Sequence, residues 1–171
     1  MKDNRGFSLV ELIVVIAIMA LVLTIAGISI TAVASQRVSN AASDVKSAMS
    51  IAETYAKTKA DCYMEFSTDS DGSSGYKIYT VDSEGNKKLG SSAESYNKAI
   101  SIKIYFKNIS EPVTVTESTP VEIHFDRTTG GFATSKVNGV DYGVPTKIEF
   151  TNGTKSVRLA LATYTGLVTY D

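Results

Sequence analysis

A single carboxylate, Glu11, lies inside an otherwise uncharged apolar run at residues 7–34, and this combination restricts the chain more than any other feature. A stretch of this length is expected to form a helix that is apolar on every side, and a charge within such a segment is costly enough to need a reason. On insertion scales an acidic residue at the centre of a spanning helix costs roughly 3 kcal/mol, whereas each Leu, Ile, Val or Phe contributes about −0.3 to −0.6 kcal/mol. Fifteen such residues stand between Phe7 and Ile30, together on the order of −7 kcal/mol, so the segment is expected to insert despite Glu11. Glu11 sits only about one helical turn inside the run, so in a monomer it can lean toward the headgroups. Any cation brought into hydrocarbon beside it would gain strongly, and a free amine would suit.

Charge outside the run sets orientation. Lys2 and Arg5 precede it and none of its residues is basic, which puts the leader in the cytoplasm and the remainder outside. The 171 residues carry a net charge of −1 with no basic cluster, so no nucleic-acid partner is predicted. About 110 residues remain beyond the helix, enough for one modest core. Cys62 is the only cysteine. An intrachain disulfide is therefore impossible, and a buried small apolar role near a helix end is expected for it, with an intermolecular bridge as the other option.

The string Gly6-Phe7-Ser8-Leu9-Val10-Glu11-Leu12, after a short basic leader and before a long apolar run, resembles the signal of type IV prepilins and pseudopilins. That resemblance implies a leader, 1–6, cut between Gly6 and Phe7 by a prepilin peptidase, with N-methylation of Phe7. It also implies that Glu11 pairs with the N-terminal amine of a neighbouring subunit. Other copies or related subunits in a filament, the pilus assembly platform and membrane lipid before assembly are the implied partners. The implied location is the cytoplasmic membrane first and then a surface pilus or a pseudopilus. Many pilins of this kind close a C-terminal loop with two cysteines and carry a proline and a glycine in the apolar segment. Here the cysteine pair is absent, and Ile28 and Ala20 stand at the matching places, leaving Gly27 as the weak point.

Two other readings compete. Ala32-Val33-Ala34 before Ser35 has the look of a leader peptidase site, although the apolar region is longer than the 7–15 residues or so of an ordinary signal core. A plain membrane anchor carrying an outer binding domain accounts for the span, since about 23 uncharged residues follow Glu11. It leaves Gly6 and Glu11 as accidents.

Beyond the span the helix is predicted to continue. Val38, Ala42, Val45, Met49, Ala52 and Ala56 recur at spacings of four and three, one face of a helix. Glu53 and Lys57, four apart, add support on the exposed side. Segments 63–171 read as antiparallel sheet, with strands at 76–81, 100–106, 121–125, 147–150, 157–162 and 167–170. Turns are expected at 82–86, 126–131 and Asn152-Gly153, and surface loops at 67–75 and 107–120. The expected fold is thus α+β and pilin-like: a long N-terminal helix, 7–34 in the membrane and 35–62 outside it, packed on one antiparallel β-sheet.

A fainter resemblance lies in the tail. Phe125-Asp126, Gly130-Gly131, Ile148-Glu149-Phe150, Val157-Arg158-Leu159 and Thr165-Gly166-Leu167-Val168 are similar to the end of the pseudopilin H and FimT-like minor pilin group. Some members of that group bind DNA through a basic tail, but this chain ends Tyr170-Asp171. Chemistry is sparse. His124, the only histidine, shares a strand face with Asp126 but has no nucleophile placed beside it. Asp69, Asp71 and Gly72 resemble part of a calcium loop, yet Ile78 stands where that loop needs Glu. No enzyme, cofactor or metal is expected, and the structural reading makes the chain a filament subunit, with a minor pilin, a pseudopilin or an anchored binding domain as alternatives.

Overall fold

The computed structural model describes residues 8–58, 61–96 and 99–171, without the side chains of 24–31 and 91–95. The chain divides into two compact units, Met1–Gln36 and Arg37–Asp171. It is α+β, with one helix and eleven strands among the described residues.

Helix α1 spans Leu9–Thr58. In the second unit the six positions singled out by periodicity are all 1% exposed or less, and Ala41 and Ala48 join them. Five of these eight residues are alanines, whose small side chains let the helix backbone lie close to its neighbours. Beside that face, Glu53 and Lys57 form the expected ion pair at 2.6 Å, against the loop at Gly130. Ser47, Thr54 and Thr58 each donate a hydroxyl hydrogen bond to the carbonyl four residues back, at 2.8–3.0 Å.

The described helix ends before the expected boundary at 62, and Cys62 opens a strand instead of closing a helix. That strand is β1 (Cys62–Thr68), whose inward Met64 and Phe66 are fully buried. It pairs with β2 (Ser74–Val81) in a regular hairpin from Cys62↔Thr80 to Thr68↔Ser74. Of the loop expected at 67–75, residues 69–73 form a turn, while Ser67, Thr68, Ser74 and Gly75 belong to the two strands. Its turn is closed by Asp69 N–H to Ser73 O at 2.9 Å and by Gly72 at φ 86°. The Asp71 carboxylate accepts from the Ser73 amide at 2.9 Å, so these aspartates shape a turn.

One sheet was expected and two form, both antiparallel. The six-stranded sheet runs β3-β2-β1-β6-β7-β8, adding β3 (Lys87–Ser95), β6 (Val121–His124), β7 (Ser135–Val137) and β8 (Val140–Gly143). The five-stranded sheet runs β11-β10-β9-β4-β5, from β4 (Ser101–Phe106), β5 (Val113–Thr114), β9 (Pro145–Thr151), β10 (Ser156–Leu161) and β11 (Val168–Tyr170). Twisted sheets rarely exceed about ten strands without splitting. The chain passes between the sheets three times, from β3 to β4, from β5 to β6 and from β8 to β9, and at the last passage Gly143 has a φ of 126° that lets the chain leave β8 and enter β9 at Pro145. The loop expected at 107–120 contains β5, an edge strand pairing with Lys103 and Ile104. Asn152-Gly153 makes the predicted hairpin: Asn152 Oδ1 accepts from the amides of Thr154 and Lys155, and Gly153 has φ 85°.

Inward residues of both sheets alternate with outward ones, as in the strict pattern of β4. Ile78, Ile123, Ile102, Ile104, Ile148, Phe150 and Leu159 belong to one buried cluster with the helix face from Val38 to Ala56. Burial of that face is what holds the helix here, because propensity alone supplies little.

Candidate functional site

Of the residues assigned a role from sequence, Gly6 and Phe7 lie outside the described residues, whereas Glu11 is described. Glu11 sits in the first turn of α1 and closes a reciprocal pair of hydrogen bonds with Ser8. The Ser8 amide donates to Glu11 Oε2 at 3.1 Å, and the Glu11 amide donates to Ser8 Oγ at 3.2 Å. This is a capping box: a hydroxyl at the N-cap satisfies one amide of the first turn while the carboxylate three residues on satisfies another. The negative charge also faces the positive end of the helix dipole. Glu11 therefore has a conformational reason for its place in addition to any intermolecular one. The Ser-x-x-Glu spacing that announces it stands in the sequence.

Around Glu11 the described side chains of the helix are exposed as far as Leu23. Every large apolar residue from Leu9 to Leu23 is exposed, from 46% at Val15 to 75% at Leu9. Contiguous apolar surface on this scale marks a site of interaction with lipid or protein. Side chains past Leu23 are outside the described set until position 32, and 9–23 alone is about 22 Å long against a hydrocarbon core of about 30 Å. Accordingly, no helix among the described residues is long and apolar enough to cross a membrane.

The tail segments singled out by sequence do converge, but on packing. Ile148, Glu149 and Phe150 pair with Leu159, Arg158 and Val157 across β9 and β10. The loops at 126–131 and 162–167 cross so closely that a Cβ on Gly166 would lie 2.3 Å from Gly130 O, and one on Gly131 would lie 2.4 Å from Thr163 O. The Phe132 amide donates to Thr163 O across the same crossing at 2.8 Å. Asp126 closes the first loop by accepting from the amides of Thr128 and Thr129 and from the Thr129 hydroxyl. The Thr129 amide foremost holds its carboxyl below the usual range.

Asp126 is thus engaged in a turn and is not the partner of His124. His124 Nε2 instead meets Glu122 Oε2 at 3.1 Å, and its ring stacks on Tyr63, which stacks in turn on Tyr79 at centroid distances of 5.0 and 5.3 Å. These residues face one another across β6, β1 and β2, an aromatic ladder with no nucleophile in it. Cys62 is 1% exposed, which removes the intermolecular bridge as a property of the folded chain.

On the outer face of the five-stranded sheet, Glu149 is 7% exposed. It accepts from the Tyr105 hydroxyl at 2.6 Å and from Arg158 Nη2 at 3.3 Å. The Tyr105 hydrogen bond, helped by Ser156 and then by Arg158, outweighs burial and lowers the Glu149 pKa, while the same bond raises that of Tyr105. Among the described residues no group of His, Cys, Asp and Glu has the arrangement to hold a metal ion.

No curated protein and no solved structure matches the chain. One family model does, the prokaryotic N-terminal methylation motif, over residues 1–27. That stretch contains Ser8, Glu11 and the exposed apolar residues through Leu23. The chain therefore carries the type IV prepilin-type signal, which supports a pilin-like or pseudopilin precursor.

Proposed function

We propose that the chain is a structural subunit of a type IV pilin-like filament, cut between Gly6 and Phe7, N-methylated on Phe7 and polymerised through its N-terminal helix. The supporting observation is the uncovered apolar helix start lying within the methylation motif: a surface that must leave water stands beside the signal that a prepilin peptidase reads. In the precursor, 7–34 spans the cytoplasmic membrane with residues 1–6 inside the cell. In the filament the same residues lie against those of other copies or related subunits, supplied by an assembly platform. Lipid is already apolar, so packing and the ion pair between Glu11 and a neighbouring amine drive the transfer. The work is structural, without catalysis or cofactor.

The interlocked glycine loops at Gly130 and Gly166 give a physical basis to the tail pattern that resembles minor pilins and pseudopilins. A minor pilin or pseudopilin is the alternative reading, carried by that resemblance. Mass analysis of mature protein from its native host tests the reading, with a methylated Phe7 at the N-terminus as the expected result. Material beginning at Ser35 would make the chain an ordinary secreted protein, and material beginning at Met1 would make it a membrane-anchored domain; either refutes the proposal. Glu11→Ala is expected to insert and be cut yet give little filament.

A further inference from the structure

We infer that Ser8 is the positioning residue for Glu11, an inference that rests on the assembly role proposed above. A glutamate in the first turn of a helix normally samples several rotamers, and a carboxylate in or near hydrocarbon without a donor is heavily penalised. The box removes both problems at once. Ser8 Oγ takes the Glu11 amide at 3.2 Å and so locks the turn in which the Ser8 amide can reach Glu11 Oε2 at 3.1 Å. The carboxylate is held by one oxygen from its own chain at the mouth of the helix, while Oε1 makes no hydrogen bond among the described residues. A cation arriving from a neighbour then meets a fixed acceptor whose ordering entropy is already spent, the general route by which preorganisation raises affinity. The hydroxyl is the essential part. Glycine also starts helices well but cannot accept from the Glu11 amide.

The test uses the full chain in its native host, with Ser8→Ala, Ser8→Gly and Ser8→Thr scored for membrane insertion, mature mass and sheared filament yield. Loss of a serine cap weakens a helix start by about fivefold in its equilibrium, so Ser8→Ala is expected to be inserted and cut normally while its filament yield falls about fivefold. Ser8→Gly should fall with it and Ser8→Thr should restore the yield. If Ser8→Gly assembles like wild type, Ser8 merely stabilises the helix start and the inference fails. It fails equally if Ser8→Ala assembles at the normal level, or if Ser8→Ala remains uncut, which would place Ser8 in recognition by the peptidase. Normal assembly of Glu11→Ala alongside these variants would instead overturn the assembly role itself.

Discussion

Replacing Gly166 by alanine should weaken the fold far more than the same change at Gly153, and the difference measures how tightly the two glycine loops clasp. Both residues have left-handed backbones, with φ of 70° and 85°, so each substitution costs about 1–2 kcal/mol in backbone strain. At Gly153 the new methyl group meets nothing within 4 Å, and the strain is the whole effect. At Gly166 it lies 2.3 Å from Gly130 O and 3.2 Å from the Glu53 carboxyl carbon. The first contact is with backbone and well inside the 3.5–4.0 Å or so of ordinary van der Waals contact, so one loop must shift, adding about 1–3 kcal/mol. For a chain of this size each kcal/mol moves the melting temperature by about 2–4 °C. Gly166→Ala should accordingly melt some 2–12 °C below Gly153→Ala. The assay is thermal unfolding of the full chain in detergent micelles, followed by near-ultraviolet circular dichroism of its nine tyrosines, undiluted by any tryptophan. Coincident melting of the two variants would refute the clasp.

Other outcomes follow from the same geometry. Glu149 has a lowered folded pKa, so its contribution is present above the unfolded carboxylate value of about 4.3 and is lost as pH falls through the folded value. Tyr105→Phe, which removes the leading cause, should destabilise the chain by about 2 kcal/mol at neutral pH and flatten the acid limb of a stability–pH curve; an unchanged limb would contradict the assignment. Cys62 should resist a water-soluble thiol reagent in the folded chain and react fully in denaturant, as read by mass, and rapid labelling under native conditions would show that β1 opens readily. Gly6→Arg should leave residues 1–6 attached, and a cleaved mass for that variant would count against the cleavage position.

The helix face was the most legible part of the fold. Val38 to Ala56 repeat at helical spacing because one side of α1 must be apolar to share a core with two sheets, and no competing pattern runs through those residues. Central strands such as β4 and β9 were legible for the same reason at period two. Edge strands were not: β3 is polar along Lys87–Ser95 and β5 is two residues long, so their pairing is dictated by neighbours and leaves no alternation to read. Strand β1 does alternate, with Met64 and Phe66 inward, but its first residue falls in the expected helix and its last two in the expected loop. At the helix start, Glu11 was legible as an anomaly in an apolar run. Its partnership with Ser8 stands in the same seven residues as a Ser-x-x-Glu spacing, a weaker signal than one charge in an apolar run.

The hydroxyls of Ser47, Thr54 and Thr58 lie on the exposed flank of α1, each with its proton committed to the carbonyl one turn back. Such a flank is polar in composition but holds its hydration shell loosely, since these side chains have no proton left to offer to water. Crowding it would displace solvent cheaply and strand no donor, so this side of the helix is easier to dry than its serines and threonines suggest.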